Sequence, residues 1–327
     1  MKPVIAFVTG GYSGEAVVSY KSAITIEQNL DPEKYEVYRI NITPEEWFHP
    51  TADGGKIPVD KSDFTLTIAG KKIRFNGVFI GIHGTPGEDG KLQGYFDLMG
   101  LPYTSCDAAV SALTFNKRYT VAVAAFGGIR VAKSLHLFKA QPLSSAQVLA
   151  QLKLPVFVKP NNGGSSIGMS KVNLPEELAP AIEKAFKEDA QVLVEEFITG
   201  REFTIGVYRS KGAIHVLPIT EVKSKKEFFD FEAKYTPGLA METTPAEIDA
   251  ALQSQLEMNA KKVYELFNCR GVVRMDFIYE PEIKEPFLLE INTVPGQSEA
   301  SIVPQQVRAS GGTLKDFYSA LLDECLA

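Results

Sequence analysis

Gly271-Val-Val-Arg-Met-Asp-Phe-Ile-Tyr279 and Pro286-Phe-Leu-Leu-Glu-Ile-Asn292 are the two runs whose reading decides how this chain folds. Both alternate with a period of two, the pattern of a β-strand whose successive side chains point to opposite faces. Val273, Met275 and Phe277 share one face of the first run, and Arg274 and Asp276 share the other. In the second, Phe287, Leu289 and Ile291 oppose Leu288, Glu290 and Asn292. The polar stretch Glu280 to Glu285, with Pro281, suits a hairpin loop. A hairpin symmetric about residue 283 sets Asp276 opposite Glu290 and Arg274 opposite Asn292. Two carboxylates facing each other across a ladder repel. A hard cation removes that objection, because Mg²⁺ accepts carboxylate and amide oxygens and keeps positions for phosphate. A solvated polar face is the plainer reading of such a strand. Three oxygen-ligand residues and an arginine on one face favour a metal with phosphate.

Working outward, Val4 to Thr9 reads as a buried parallel-type strand. It runs through Gly10-Gly11-Tyr12-Ser13-Gly14 into a helix from about Glu15 to Asn29. Tyr35 to Ile40 and Gly77 to Gly81 give two further strands. That order implies an α/β domain with ligands near the strand C-termini. The glycine loop lacks the dinucleotide spacing, no acid closes the second strand, and no GxxxxGK[ST] run occurs. Cys106-Asp107 caps a helix expected to run to about Phe126, where Gly127-Gly128 ends it. Strands at Val156–Pro160 and Met169–Val172, a helix from about Pro175 to Asp189, and strands at Gln191–Glu195 and Glu202–Tyr208 follow. Residues 222 to 246 are expected to form a long lid or binding loop. A helix from about Pro245 to Phe267 precedes the hairpin, and a short helix near Leu314 to Cys325 closes the chain.

The chain has 327 residues, 45% of them hydrophobic, which suggests two or three domains with real cores. A net charge of −6 without basic runs argues against a nucleic-acid surface. No apolar run approaches the roughly 20 residues of a membrane span, and Met1-Lys2-Pro3 leads directly into a strand rather than a signal peptide. The three isolated cysteines indicate neither a disulfide framework nor a zinc site. The expected compartment is the cytoplasm, with no nucleic-acid or membrane partner.

Lys159 ends an apolar strand and Asn161-Asn-Gly-Gly-Ser-Ser-Ile-Gly168 follows. Glycines there let the backbone approach a ligand, and exposed N–H groups can cradle phosphate oxygens. A tight turn would explain the glycines alone; the adjoining lysine sets a phosphate cradle level with that reading. Gly81-Ile-His-Gly-Thr-Pro-Gly-Glu-Asp-Gly90 is a second glycine loop, either a strand-to-helix turn with His83 packed or a functional loop at a sheet edge. No Ser-His-Asp or Cys-His order is recognisable, so nucleophilic catalysis is not supported.

Five motifs in order carry a family resemblance: Gly10-Gly-Tyr-Ser-Gly-Glu15 with Ser19, His83-Gly-Thr-Pro-Gly-Glu-Asp-Gly90, Lys159-Pro-Asn-Asn-Gly-Gly-Ser-Ser-Ile-Gly168, Glu232-Ala-Lys-Tyr235 and Glu290-Ile-Asn-Thr-Val-Pro-Gly296. Spanning Gly10 to Ser301, they resemble the D-alanine–D-alanine ligase family of the ATP-grasp superfamily. The resemblance implies an N-terminal Rossmann-like α/β domain (1–106), a central ATP-grasp subdomain (107–196) and a C-terminal one (197–327) with the metal site and a lid loop at about 222–242. It implies ATP and two Mg²⁺ (or Mn²⁺) ions, D-alanine as substrate, and a homodimer. One D-alanine carboxylate would attack the γ-phosphate, and the amine of a second would take the acyl phosphate.

By the same resemblance, Asp276, Glu290 and Asn292 would hold the metals. Lys117, Lys159, Ser165, Ser166 and Lys234 would meet the phosphates, with Glu195, Phe197 and Ile198 at the adenine edge and Glu202 on the ribose. Glu15, with His83 near it, would bind the first D-alanine amine; Arg274 and the Gly296 N–H would stabilise the oxyanion; Ser301 would fix the second carboxylate. Ser165 and Tyr235 would bond with Glu15 and clamp the lid. Tyr235 favours the dipeptide over a depsipeptide with D-lactate. Ala16-Val17 and Glu196 depart from residues common in the family. An ATP-grasp ligase using D-lactate or D-serine, and a nucleotide-binding protein without catalysis, are the alternatives.

Overall fold

The computed structural model describes residues 2–164, 167–224 and 240–327. Among the described residues there are three sheets of four or more strands and one two-stranded hairpin. The first contains β1 (Val4–Gly10), β2 (Glu36–Ile42), β3 (Trp47–Pro50), β4 (Lys56–Pro58) and, after a separate hairpin of β5 (Leu66–Ile68) with β6 (Lys71–Ile73), β7 (Gly77–Ile80). Its order is β4-β3-β2-β1-β7, and β1 runs parallel to both neighbours. A strand buried on both faces needs a continuous apolar run, which Val4 to Val8 supplies. Helix α1 (Ala16–Asn29) returns the chain from β1 to β2.

The second sheet has the order β10-β9-β11-β8 and is antiparallel, from β8 (Ser134–Phe138), β9 (Val156–Pro160), β10 (Ser170–Val172) and β11 (Gln191–Glu196). The third holds β12 (Arg201–Ser210), β13 (Ala213–Val216), β14 (Thr220–Ser224), β15 (Ala240–Thr243), β16 (Val272–Glu280) and β17 (Glu285–Asn292). Its order is β15-β14-β12-β16-β17, with β13 on β12.

The remaining helices among the described residues are α2 (Lys91–Leu98), α3 (Ala108–Phe115), α4 (Lys117–Phe126), α5 (Ser145–Leu149), α6 (Leu178–Glu188), α7 (Ala250–Leu266), α8 (Ile302–Ala309) and α9 (Leu314–Leu326). Helix α6 buries Leu178, Ala181, Ile182 and Ala185, one stripe at helical spacing, on Val156, Val158, Val192 and Val194 of the second sheet. Helix α7 sets Leu256, Ala260 and Val263 against Ile205, Val273 and Met275 of the third. Helix α9 joins sheets: Phe317, Tyr318 and Leu321 share a core with Ile5, Phe7 and Phe79 of the first sheet and Val272 of the third.

Four sequence expectations need correction. The helix expected from Asp107 to Phe126 is two helices. Asn116 is extended and its side chain accepts from the Tyr119 N–H, so it caps α4 instead of continuing α3. The helix expected from Pro245 begins at Ala250, because the Ala246 N–H is given to the Ile219 carbonyl and Asp249 caps the later start through the Leu252 N–H. Residues 222–242 are not loop throughout: Glu202 to Thr204 pair with Thr220 to Val222, and Glu221 to Ser224 pair with Ala240 to Thr243. Finally, the alternation of β17 breaks. Asp276 faces Glu290 and Arg274 faces Asn292, but Phe277 faces Leu288, so Leu289 is an extra residue in a bulge. Leu288 therefore joins Ile291 in the core, and Leu289 turns toward the cavity.

Candidate active site

A cavity of about 800 Å³ opens where the three sheets meet, lined from β9, β11, β12, β16, β17 and the start of α1. Its centre is the shared face of β16 and β17. Arg274 holds Asp276 with two parallel bonds, Nε to Oδ1 at 3.0 Å and Nη2 to Oδ2 at 2.8 Å. The same Nη2 is 3.7 Å from Glu290 Oε1. The Asn292 carboxamide nitrogen lies 3.4 Å from Asp276 and 3.5 Å from Glu290. Thr204, directly across from Asp276 on β12, donates its hydroxyl to the same carboxylate. Burial works against the Arg274 charge, but Asp276, Glu290 and Glu88 outweigh it and raise its pKa. The two carboxylates thus converge on one point with a carboxamide beside them. Among the described residues no cluster of three His, Cys, Asp or Glu could hold a metal. Two carboxylates and an amide are nevertheless the hard-oxygen set that suits Mg²⁺, so the residues fit the ion.

Toward the second sheet the cavity becomes a slot. Lys159 and Glu195, both buried on adjacent strands, form an ion pair of 2.5 Å. Helix α4 docks on the glycine loop: Asn161 accepts the Lys117 N–H at its carbonyl and the Arg118 N–H at its side chain, and Lys117 Nζ reaches the Gly163 carbonyl at 2.6 Å. The broken helix therefore has a consequence, since it turns α4's first N–H groups and Lys117 onto the loop after β9. Phe157 and Phe197 lie 5.4 Å apart, with the Lys171 ammonium 4.3 Å over Phe197. Ile198, Glu202, Ile278 and Leu289 complete this end, an apolar slot with acids at its rim.

The first sheet supplies the other end. Glu15 precedes α1, and the loops after β7 and β9 both come up against its carboxylate. A Cβ on Gly164 would sit 2.5 Å from Glu15 Oε1, and one on Gly84, whose φ is +67°, would overlap Oε2. His83 is buried with both ring nitrogens engaged: Nδ1–H donates to the Val294 carbonyl at 2.8 Å, and Nε2 accepts from Ser22 Oγ at 2.9 Å. Burial first, and Arg274 with it, lowers its pKa to about 4, so it is neutral. Glu88 accepts the Gly84 N–H at 2.6 Å and the Val294 N–H at 3.3 Å. Burial, then Glu15, pushes its carboxyl up to about 8. One loop thus grips the Val294 peptide at both its carbonyl and its N–H. Ser22 also accepts the Gln297 N–H at 3.1 Å, and Gln297 in turn accepts from the Tyr318 hydroxyl at 3.1 Å. Gly296 and Ser301 line the cavity just beyond, with Ser301 and Ser298 hydroxyls bonded at 2.7 Å.

Of the residues singled out from the sequence, the cavity gathers Glu15, His83, Lys117, Lys159, Glu195, Phe197, Ile198, Glu202, Arg274, Asp276, Glu290, Asn292, Gly296 and Ser301. Ser165, Ser166, Lys234 and Tyr235 lie outside the described residues. Thr204 and Glu88 were not singled out individually. Thr204 shares a strand face with Glu202, the signal that could have found it; Glu88 lay within the quoted loop, but its two N–H partners are set by the fold.

A family model described as "D-ala D-ala ligase N-terminus" matches residues 4–106, and one described as "D-ala D-ala ligase C-terminus" matches 116–323. The chain is 45% identical over 323 residues to a D-alanine–D-alanine ligase of Flavobacterium johnsoniae, covering 99% of each. Among solved structures it is similar to the VanG D-Ala:D-Ser ligase of Enterococcus faecalis, with a TM-score of 0.87, 32% identity and 99% of each chain covered. It is similar also to the D-alanine–D-alanine ligase of Bacillus anthracis complexed with ATP, with a TM-score of 0.79 and 26% identity over 99% of this chain and 97% of that one.

Proposed function

Because this chain belongs to the D-ala D-ala ligase family, we propose that it joins two D-alanines into D-alanyl-D-alanine, with ATP converted to ADP and phosphate, for peptidoglycan precursor synthesis. The observation that carries this reading is the Arg274–Asp276–Glu290–Asn292 face, set between an apolar slot with buried Lys159 and the Glu15 end. Such a face suits phosphoryl transfer, which asks for positioning and charge stabilisation rather than covalent protein chemistry.

A carboxylate oxygen of the first D-alanine attacks the γ-phosphorus, and the bond to the β-phosphate oxygen breaks to release ADP. The amine of the second D-alanine attacks the acyl carbon; phosphate leaves and the amine loses its proton. Phe197, Ile198 and Leu289 flank the adenine, Glu195 meets its edge, and Glu202 takes the ribose hydroxyls. Lys117 and Lys159 contact the α- and β-phosphates, with Ser165, Ser166 and Lys234 completing the phosphate grip. Glu15 binds the first amine, Arg274 and the Gly296 N–H meet the oxyanion, and Ser301 receives the second carboxylate. His83 and Glu88 act one step back, by fixing the Val294 peptide from which Gly296 follows. Exclusion of water from the cavity protects the acyl phosphate. Asp276, Glu290 and Asn292 would hold Mg²⁺, or Mn²⁺, which would supply positive charge against the phosphates.

The same reading divides the chain into residues 1–106, 107–196 and 197–327, and takes the protein as a cytoplasmic homodimer. No helix among the described residues is long and apolar enough to cross a membrane. The test is phosphate release from Mg-ATP with D-alanine, L-alanine, D-serine plus D-alanine, D-lactate plus D-alanine, or no acceptor, with products identified by mass. ADP and the dipeptide from D-alanine alone are expected. A mixed product formed in preference would transfer the reading to a D-serine or D-lactate ligase, and nucleotide binding without turnover would count against catalysis.

A further inference from the structure

A second cavity, of about 340 Å³, shares no lining residue with the one assigned to the reaction. It opens at a seam between sheets. One wall is the stretch from Gly100 to Thr104, which Val78 of β7 holds to the first sheet through its N–H at 2.8 Å and its carbonyl at 3.1 Å. Arg209 of β12, with Arg270 and Gly271 just before β16, comes from the third sheet, and Leu321 and Glu324 come from the end of α9. Tyr208 pairs with Val272, so Arg209 lies level with Gly271 and the two arginines stand on neighbouring strand ends.

The charged groups of this cavity sum to zero, Arg209 and Arg270 against Asp97 and Glu324, but they are not equally engaged. Asp97 accepts the Tyr103 hydroxyl at 2.7 Å, and Glu324 accepts the Gly212 N–H at 3.2 Å. Arg270 makes only long polar contacts, 3.4 Å to the Tyr103 oxygen and 3.9 Å to Asp107. Arg209 lies over the Tyr264 ring at 6.0 Å, and no carboxylate among the described residues is within ion-pair reach of it. Its Nε is buried without a partner. A buried donor left unmet is costly and rare in a folded protein. The unmet capacity sits with donors on two positive groups in one cavity, which calls for an anionic acceptor. Two planar guanidinium forks match a divalent oxyanion better than a single carboxylate. We propose that this cavity is a binding site for a phosphate-class oxyanion, free or carried by a small phosphomonoester, gripped by Arg209 and Arg270 and joining the first sheet to the third. Such a site is separate from the phosphate positions of the ligase reaction.

The test is calorimetric titration of the full chain with inorganic phosphate at constant ionic strength, with and without saturating Mg²⁺ and a non-hydrolysable ATP analogue. One binding event that survives the analogue is expected. Loss of a charge-assisted contact should raise its Kd about tenfold in Arg209→Gln and in Arg270→Gln. Glu324→Gln removes a like charge and keeps an acceptor for the Gly212 N–H, so the Kd should fall about threefold, a gain that misfolding cannot imitate. Acetate should bind about tenfold more weakly than phosphate. Glycerol 2-phosphate separates the sources: comparable binding assigns the site to phosphomonoesters, and its loss assigns the site to free phosphate. No phosphate binding in the presence of the analogue overturns the proposal, as does acetate binding as tightly as phosphate. A Kd within about twofold of the parent in a folded arginine variant, or one that does not fall in Glu324→Gln, also overturns it.

Discussion

Glu88 and His83 stand in the same wall and titrate in opposite senses. Glu88 holds its proton up to about pH 8, well above the ordinary 4.5, whereas His83 takes one only near 4 rather than 6.5. Between about 4.5 and 6.5 the folded protein binds an extra proton at Glu88 and lacks one at His83, so their effects on stability cancel. Above 6.5 only Glu88 remains: the unfolded chain has already lost this proton, and stability falls as pH rises to 8. The slope is at most about 1.4 kcal/mol per pH unit, or about 2 kcal/mol across that window. Urea midpoints at pH 6.5 and 8 should show this loss in the parent and not in Glu88→Gln; equal losses would refute the assignment. Glu290→Gln is expected to abolish turnover at millimolar Mg²⁺ by about a hundredfold or more while leaving the melting temperature unchanged. Near-normal phosphate release from that variant would sink the metal assignment. Arg274, Asp276, Glu290 and Asn292 were legible in the sequence because a period of two puts them on one face. The bond from the Val294 N–H to Glu88 was not, since it joins residues 206 positions apart.

Turns and breaks between elements decide where those side chains stand. Gly271 enters β16 with φ +60°, and a Cβ there would overlap the Thr104 carbonyl oxygen. Gly271→Ala should destabilise by about 2 kcal/mol or more, read as a lower urea midpoint, because rigid backbone blocks the way. Gly164→Ala differs in kind: its Cβ meets only the end of the Glu15 side chain, and its φ is not in the left-handed region. Stability should hold within about 1 kcal/mol, while the KM for the first D-alanine rises as the carboxylate is displaced. An unchanged KM would show that Glu15 has room to keep its place. The sequence revealed most strands and helices through periodicity. It concealed the bulge at Leu289, which one apolar residue among several cannot announce, and the break at Asn116, which gains its worth from Asn161 on a different element. The strands between Trp47 and Ile73 escaped notice because each is only three or four residues long and largely half-exposed.

Across the molecule, the slot is built from two sheets and the acid end from a third, so a bound nucleotide joins parts that otherwise meet at a cleft. A non-hydrolysable ATP analogue with Mg²⁺ at a hundred times its Kd should stabilise by about 2.7 kcal/mol. The melting temperature should then rise by several degrees, and by less in EDTA; no shift with the metal present would argue against nucleotide binding in the slot. The order of strands and motifs made the α/β architecture readable from the sequence, while the meeting of the first and third sheets depends on α9, whose apolar side chains give no hint of which two sheets they join.

The grip on the Val294 peptide has a consequence of its own. The turn belongs to the third sheet, whereas both hands that hold it, His83 and Glu88, belong to the loop after β7 of the first. Labour is therefore divided: one part of the molecule can receive the nucleotide, but neither part alone can shape the turn on which bond formation depends. Loosening the seam around Tyr318 and Leu322 should uncouple the two, leaving a protein that still takes up ATP and has lost the power to ligate.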